Sequence, residues 1–339
     1  MASKPYPLEI RDLEPHEAEK MKVFSGEKTG FVRIGPKGYI VQSRFLEVAA
    51  DIYNMEIRPS DVFVNTYARS GTTWTQELVW LIANNLDYDT AKSIVLRQRF
   101  PFLEFSSIFH SEMIQYYLEQ NKGDEKKQKE IKMMTSHIVD QLASAPSPRF
   151  IKTHLPLSLL SPNVLNAKVV YVARDPRDAI VSFYLLSKSM TFLGWTGDFK
   201  SFWDLFISDL LYWTPYFEHL KEAWEKRHHP NLLFMFFEDL KKDLPAMINR
   251  VSDFMGKKYS DEEVATLCEH LHIKNCKKNP AINIEIFKEL GVTKPDLEFI
   301  RQGKTGGWRD YFDEEMIART DKWMEENLRD TDLRFPSAE

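Results

Sequence analysis

The sequence predicts an α/β fold: a single domain with a central parallel β-sheet flanked by helices, and a P-loop-like turn built for phosphate. Three observations carry this. Apolar runs at 62–64, 168–173 and 232–237 read as buried strands. Stretches of helical period separate them, the alternation that builds a parallel sheet with crossover helices. The first run also ends in a small-residue turn, Ala68-Arg69-Ser70-Gly71, and passes straight into Thr72-Thr73-Trp74 and a helix-periodic segment.

In chain order, residues 1–45 are punctuated by Pro5, Pro7, Pro15, Gly30, Gly35, Pro36 and Gly38 and read as an extended arm with short strands. A helix is expected over 46–57 and the first strand after Arg58-Pro-Ser-Asp61. The next helix carries Trp74, Leu78, Leu81 and Ile82 at helical spacing, has the form of a capping box in Thr73-x-x-Gln76, and ends near Asn85. From 87 to 148 the α/β rhythm lapses and the segment reads as loop-rich. Its aromatic part, Phe100 to Phe109, suits a lid over an apolar ligand, and the charged run Lys122–Lys132 a solvated helix face or loop. Strands return at 149–154 and 168–173. Asp175-Pro176-Arg177-Asp178 starts a helix, with Pro in its first turn. A long amphipathic helix is expected over 203–224, broken near Pro215. Helices follow at 244–256 and 261–272, then a loop-rich, cofactor-closing stretch at 280–312 and a closing helix at 313–329. No internal repeat is found.

Composition excludes several classes of function. At 339 residues, 43% of them hydrophobic, the chain can bury a sizeable core. Its net charge of −5 argues against a general nucleic-acid binder. The two cysteines, Cys268 and Cys276, form neither a metal-ligand pattern nor a disulfide framework. With no signal-peptide core and no apolar run long enough to span a bilayer, a cytoplasmic protein with no membrane partner is expected.

In a parallel sheet, ligands sit at the carboxyl ends of the strands, and Arg69, Lys152, His154 and Arg174 all fall there. A turn of small residues before a helix offers free N–H groups to an anion, and Arg69 adds a fixed charge. The glycine pattern and lysine of a nucleoside triphosphate loop are absent, so Mg²⁺-centred chemistry is not expected. Arg174, with Ser182 two helical turns on, offers a second anion site, and Arg301-Gln302-Gly303-Lys304 a basic loop to close over either. Lys152 and His154, two apart on a strand, share a face. A base beside two phosphate-sized sites suggests group transfer from a doubly anionic donor to a nucleophile that His154 deprotonates.

At these residues the chain resembles the cytosolic sulfotransferases. Thr66-Tyr-Ala-Arg-Ser-Gly-Thr-Thr-Trp74 looks like their 5′-phosphosulfate loop, and Lys152-Thr-His-Leu-Pro156 like their catalytic-histidine segment. Tyr171-Val-Ala-Arg-Asp-Pro-Arg-Asp178 through Ser182 looks like their 3′-phosphate motif, and Arg301-Gln-Gly-Lys-Thr-Gly-Gly-Trp308 like their C-terminal loop. The chain as a whole, ending Trp308-Arg-Asp-Tyr-Phe-Asp-Glu-Glu-Met316, is similar to an insect branch that contains retinol dehydratase. The resemblance implies the donor 3′-phosphoadenosine 5′-phosphosulfate (PAPS), leaving as adenosine 3′,5′-bisphosphate (PAP), and a small hydroxylated apolar acceptor: a phenol, steroid or retinoid. It implies His154 as general base and Lys152 as the cation on the sulfuryl oxygens. Arg69, Ser70, Gly71, Thr72 and Thr73 would hold the 5′-phosphate, Trp74 would stack near the adenine, and Arg174, Ser182, Arg301 and Gly303 would hold the 3′-phosphate.

Departures from the family pattern sharpen these expectations. Arg69 stands where most of the family has Lys, and arginine keeps its charge but does not donate a proton to a leaving group. Phe237 stands where a Tyr commonly contacts the adenine, Gln302 replaces a basic residue, and Leu271-His272 replaces a Thr/Ser pair. The family's short dimer motif is not matched at 309–318, which leaves monomer and dimer both open. Two other readings stand beside plain sulfonation: sulfonation followed by elimination in the manner of retinol dehydratase, and a nucleotide-binding protein whose catalysis has decayed.

Overall fold

The computed structural model describes residues 4–301 and 303–337. Three short strands, β1 (Ile10–Asp12), β2 (Phe31–Ile34) and β3 (Tyr39–Gln42), form an antiparallel sheet in that order. The central sheet is parallel and four-stranded: β4 (Val62–Thr66), β5 (Phe150–Thr153), β6 (Lys168–Ala173) and β7 (Leu232–Phe236), in the order β5-β4-β6-β7. Its register pairs Asn65 with Thr153, Thr66 with Val172 and Ala173 with Phe236, so the four carboxyl ends finish within two residues of one another.

Side-chain alternation divides the core. Phe63, Ile151, Val169 and Tyr171 face one apolar cluster, and Val62, Val64, Val170, Val172, Leu233 and Met235 face the other. The second cluster receives helix α1 (Thr72–Ala83) through Leu78, Val79, Leu81 and Ile82, all buried. Each such side chain contributes roughly 1.5–3 kcal/mol, so packing rather than capping holds α1. The other helices used below are α2 (Pro176–Ser187), α3 (Tyr216–Glu225), α4 (Leu244–Phe254), α5 (Asp261–Leu271) and α6 (Glu314–Leu328).

The structure departs from the sequence reading at four places. The capping box does not form: the N-cap is Gly71 in the left-handed region (φ 93), with no side-chain cap, and Gln76 instead reaches the Phe100 carbonyl at 3.4 Å. The segment 87–148 is helical, with helices at Tyr88–Ser93, Leu96–Arg99, Ser111–Gln120, Glu125–Thr135 and Ile138–Ser144. Its apolar period was hidden because Glu125–Thr135, capped by the Asp124 side chain, buries just Ile131. The helix expected over 203–224 is broken at Pro215 as expected, where Pro215 caps α3, but the first half runs Phe199–Ile207 and eight residues separate the two, with Asp209 and Trp213 at positive φ. Residues 1–45 hold β1–β3 and a helix at Pro15–Met21.

Candidate active site

The phosphate turn is shaped by two left-handed residues, Arg69 (φ 69) and Gly71 (φ 93). Gly71 is required twice over, since a Cβ there would lie 2.6 Å from the Phe237 ring. With Gly71 as N-cap, the first-turn N–H groups of α1 receive no side-chain cap and point out of the helix end. The fully buried Ser70 hydroxyl has no partner among the described residues, whereas Thr72 Oγ1 meets Thr66 Oγ1 at 2.7 Å. An unpaired buried hydroxyl beside open N–H groups fits an incoming phosphate oxygen.

The two anion sites expected from sequence are one continuous basic floor. Arg69 Nε donates to Ser182 Oγ on α2 (3.0 Å), and its Nη2 to the Phe299 carbonyl (3.1 Å). Arg174, directly after β6, donates to the carbonyls of Arg69 and Lys304 (both 2.9 Å) and lies over the Phe237 ring. Its Nε is buried without a partner among the described residues. Burial first, then the charges of Arg174 and Arg301, push Arg69 down to about 9. Stacked cations under this pressure are stabilised by an arriving anion.

Residues 299–301 and 303–308 pack against this floor. Besides the two carbonyls just named, the Asp178 carboxylate accepts from the N–H groups of Gly306 (2.6 Å) and Trp308 (3.1 Å). Arg301 and Gly303 line the same cavity, and Gln302 lies outside the described residues. Trp74 and Phe237 meet edge to face at 6.0 Å, and Trp74 Nε1 donates to the Leu271 carbonyl (3.0 Å), making an apolar slot beside the phosphate turn.

His154 and Lys152 stand on the same cavity of about 1150 Å³. His154 Nδ1 donates to the Thr66 carbonyl at 2.8 Å, which leaves Nε2 as the basic nitrogen. Burial, then the positive charge of Lys152, holds the ring well below the usual histidine range, so it is neutral. Lys152 Nζ sits 4.0 Å over the Phe102 ring, and burial brings it down to about 8 against the opposing pull of Glu104. Glu104 is itself buried. It accepts from the His154 N–H (2.7 Å) and the Thr153 hydroxyl (2.9 Å), and burial raises it to about 7.

Beyond His154 the cavity is apolar. Phe102, Phe105 and Ile108 line it, with Met134 and Ile138 from the 87–148 helices. Phe192 lines it too, and Phe202, Trp203 and Phe206 lie in the core. Sequence reasoning missed Trp213, Phe183 and Phe287 on the wall and Glu104 beside Lys152 and His154; Thr66 and Asp178 fall inside the quoted motifs but were given no place in the site. For Asp178 a signal existed, an acid at the start of the helix that follows Arg174.

Residues 59–332 match the sulfotransferase domain family. Luciferin sulfotransferase of Photinus pyralis is 32% identical over 306 residues, covering 88% of this chain and 80% of that protein. Sulfotransferase 1E1 of Bos taurus is 30% identical over 303 residues, covering 88% and 93%. Two solved structures of retinol dehydratase superpose with a TM-score of 0.93 at 46% identity: one with androsterone and the inactive cofactor PAP (98% of this chain, 99% of that one), the other with retinol and PAP (98% and 100%). A domain match over most of the chain, set on a neutral strand-end histidine and a basic phosphate floor, leaves the decayed-site reading without support. The chain belongs to the sulfotransferase family, enzymes whose sulfuryl donor is PAPS.

Proposed function

We propose that the whole chain, 1–339, acts as one sulfotransferase domain that sulfonates the hydroxyl of a small, largely apolar acceptor in the reducing cytoplasm. The observation that carries this is a neutral histidine with a free Nε2, on the wall between a basic nucleotide floor and an aromatic chamber. PAPS supplies the sulfuryl group. His154 Nε2 takes the proton of the acceptor hydroxyl, the acceptor oxygen bonds to sulfur, and the bond from sulfur to the donor phosphate breaks in line. Lys152 offsets charge on the sulfuryl oxygens. Arg69, Ser70, Gly71, Thr72 and Thr73 hold the 5′-phosphate, where Arg69 acts through its charge alone. Arg174, Ser182, Arg301 and Gly303 hold the 3′-phosphate, and Trp74 and Phe237 flank the adenine. The helices of 87–148 cover the acceptor, and the 280–312 segment closes over the nucleotide. Both cysteines are free, consistent with a reducing compartment. Among the described residues, no helix is long and apolar enough to cross a membrane.

A second reading rests on the 46% identity to retinol dehydratase. With an allylic alcohol, the sulfate ester formed first would lose sulfate as its C–O bond breaks, and the delocalised allylic cation would give up a proton to solvent from a saturated carbon at the far end of the conjugated system, leaving one further conjugated C=C. Product mass separates the two after incubation with PAPS and a panel of phenols, steroids and retinol. A sulfate ester is the expected product of transfer; a product lighter than the alcohol by one water marks elimination. Absence of PAPS-dependent product, with no PAP binding, would overturn both.

A further inference from the structure

His219 belongs to none of the motifs above and lines no part of the cavity, yet it is fully buried and both its ring nitrogens are engaged. It sits on α3. Its Nε2 is 2.8 Å from the His154 carbonyl oxygen and its Nδ1 2.7 Å from the Tyr171 hydroxyl on β6. A carbonyl only accepts, so Nε2 carries the hydrogen and Nδ1 accepts from Tyr171. Burial holds the ring neutral, at about 4, which preserves this tautomer.

His154 is thereby gripped at three points by three elements. Thr66, at the end of β4, takes its ring Nδ1–H; Glu104, from the segment beside β5, takes its backbone N–H; His219 takes its carbonyl. The strand ends at Thr153, so sheet hydrogen bonds no longer hold the backbone at this residue. The surroundings of His219 are the rings of Tyr39, Tyr67 and Tyr171, and apart from Tyr171 it is His154 that uses the polarity of its imidazole. We propose that His219, oriented by Tyr171, is a positioning residue: its hydrogen bond to the His154 carbonyl fixes the backbone from which the base reaches the acceptor hydroxyl. The assignment rests on the reading of His154 as that base.

The test compares His219→Leu, His219→Gln and Tyr171→Phe with wild type and His154→Ala, reading kcat, the acceptor KM and the Kd for PAP. His219→Leu is expected to lower kcat by up to about 100-fold, the scale of a misplaced reactive group, with PAP affinity unchanged. His219→Gln, whose amide can donate to the same carbonyl, should recover most of that loss, and Tyr171→Phe should lie between. Wild-type kcat in a folded His219→Leu or Tyr171→Phe would overturn the proposal. So would equal losses in the Leu and Gln variants accompanied by lost PAP binding, the mark of a merely structural role. Full turnover in His154→Ala would overturn the base reading and the positioning role with it.

Discussion

Lys152 and His154 differ by two positions, share one cavity, and are shifted by the same burial toward different uses. The histidine is pushed well below 6.5 and the lysine down to about 8, so between those limits the base is neutral and the cation charged. Because kcat/KM reports the free enzyme, its pH profile should fall as pH rises through about 8, where Lys152 loses its proton, and an acidic limb near 7 should belong to Glu104 and disappear in Glu104→Gln. A flat alkaline side, or an acidic limb near 6.5 that survives Glu104→Gln, would contradict this assignment. As candidates for the chemistry, Lys152 and His154 were legible in the sequence because strand ends concentrate function and each bears distinctive chemistry. Glu104 and His219 were not. Both act on the backbone of His154 from a distance in sequence, a relation that leaves no local pattern.

At the scale of elements, α1 does its work through what its N-terminus lacks. Gly71 provides the left-handed turn, leaves the helix end uncapped, and lets Phe237 approach closely. Gly71→Ala combines backbone strain with a 2.6 Å clash, and is expected to weaken PAP binding at least tenfold, about 1.4 kcal/mol; calorimetry showing unchanged affinity would refute this account of the turn. Asp178 makes a related point for the closing segment. Asp178→Asn should raise the PAP Kd and leave kcat at saturating donor little changed, because it tethers Gly306 and Trp308 rather than touching the reacting atoms. A loss confined to kcat would speak against that tether. The capping box failed as a reading because an anion site benefits from open N–H groups, where an ordinary helix benefits from a cap. The helices of 87–148 went unseen because their solvated faces carry most of the charge and their buried faces are narrow.

Across the whole molecule, Arg149, directly before β5, ties the central sheet to the helix Ile138–Ser144 and to the segment leading into β4. Its Nε donates to Asp61 (2.8 Å), its Nη1 to the Leu142 carbonyl and its Nη2 to the Glu56 carbonyl, with both charged side chains almost wholly buried. Removing one partner strands the other charge in the core, so Arg149→Ala should cost about 3–5 kcal/mol in urea unfolding; a change under about 1 kcal/mol would show the ion pair to be dispensable. The alternation of strands and helices made the sheet legible from the start. How the 87–148 segment packs was not, because it depends on buried ion pairs and carbonyl contacts between segments far apart in sequence.

The most direct test of the account is His154→Ala, with PAP affinity and PAPS-dependent turnover measured on the same preparation. PAP should bind within about twofold of wild type while turnover falls by about 100-fold or more, the contribution of a positioned general base. Turnover retained with PAP bound would contradict His154 as the base, and with it the chemistry built on this site.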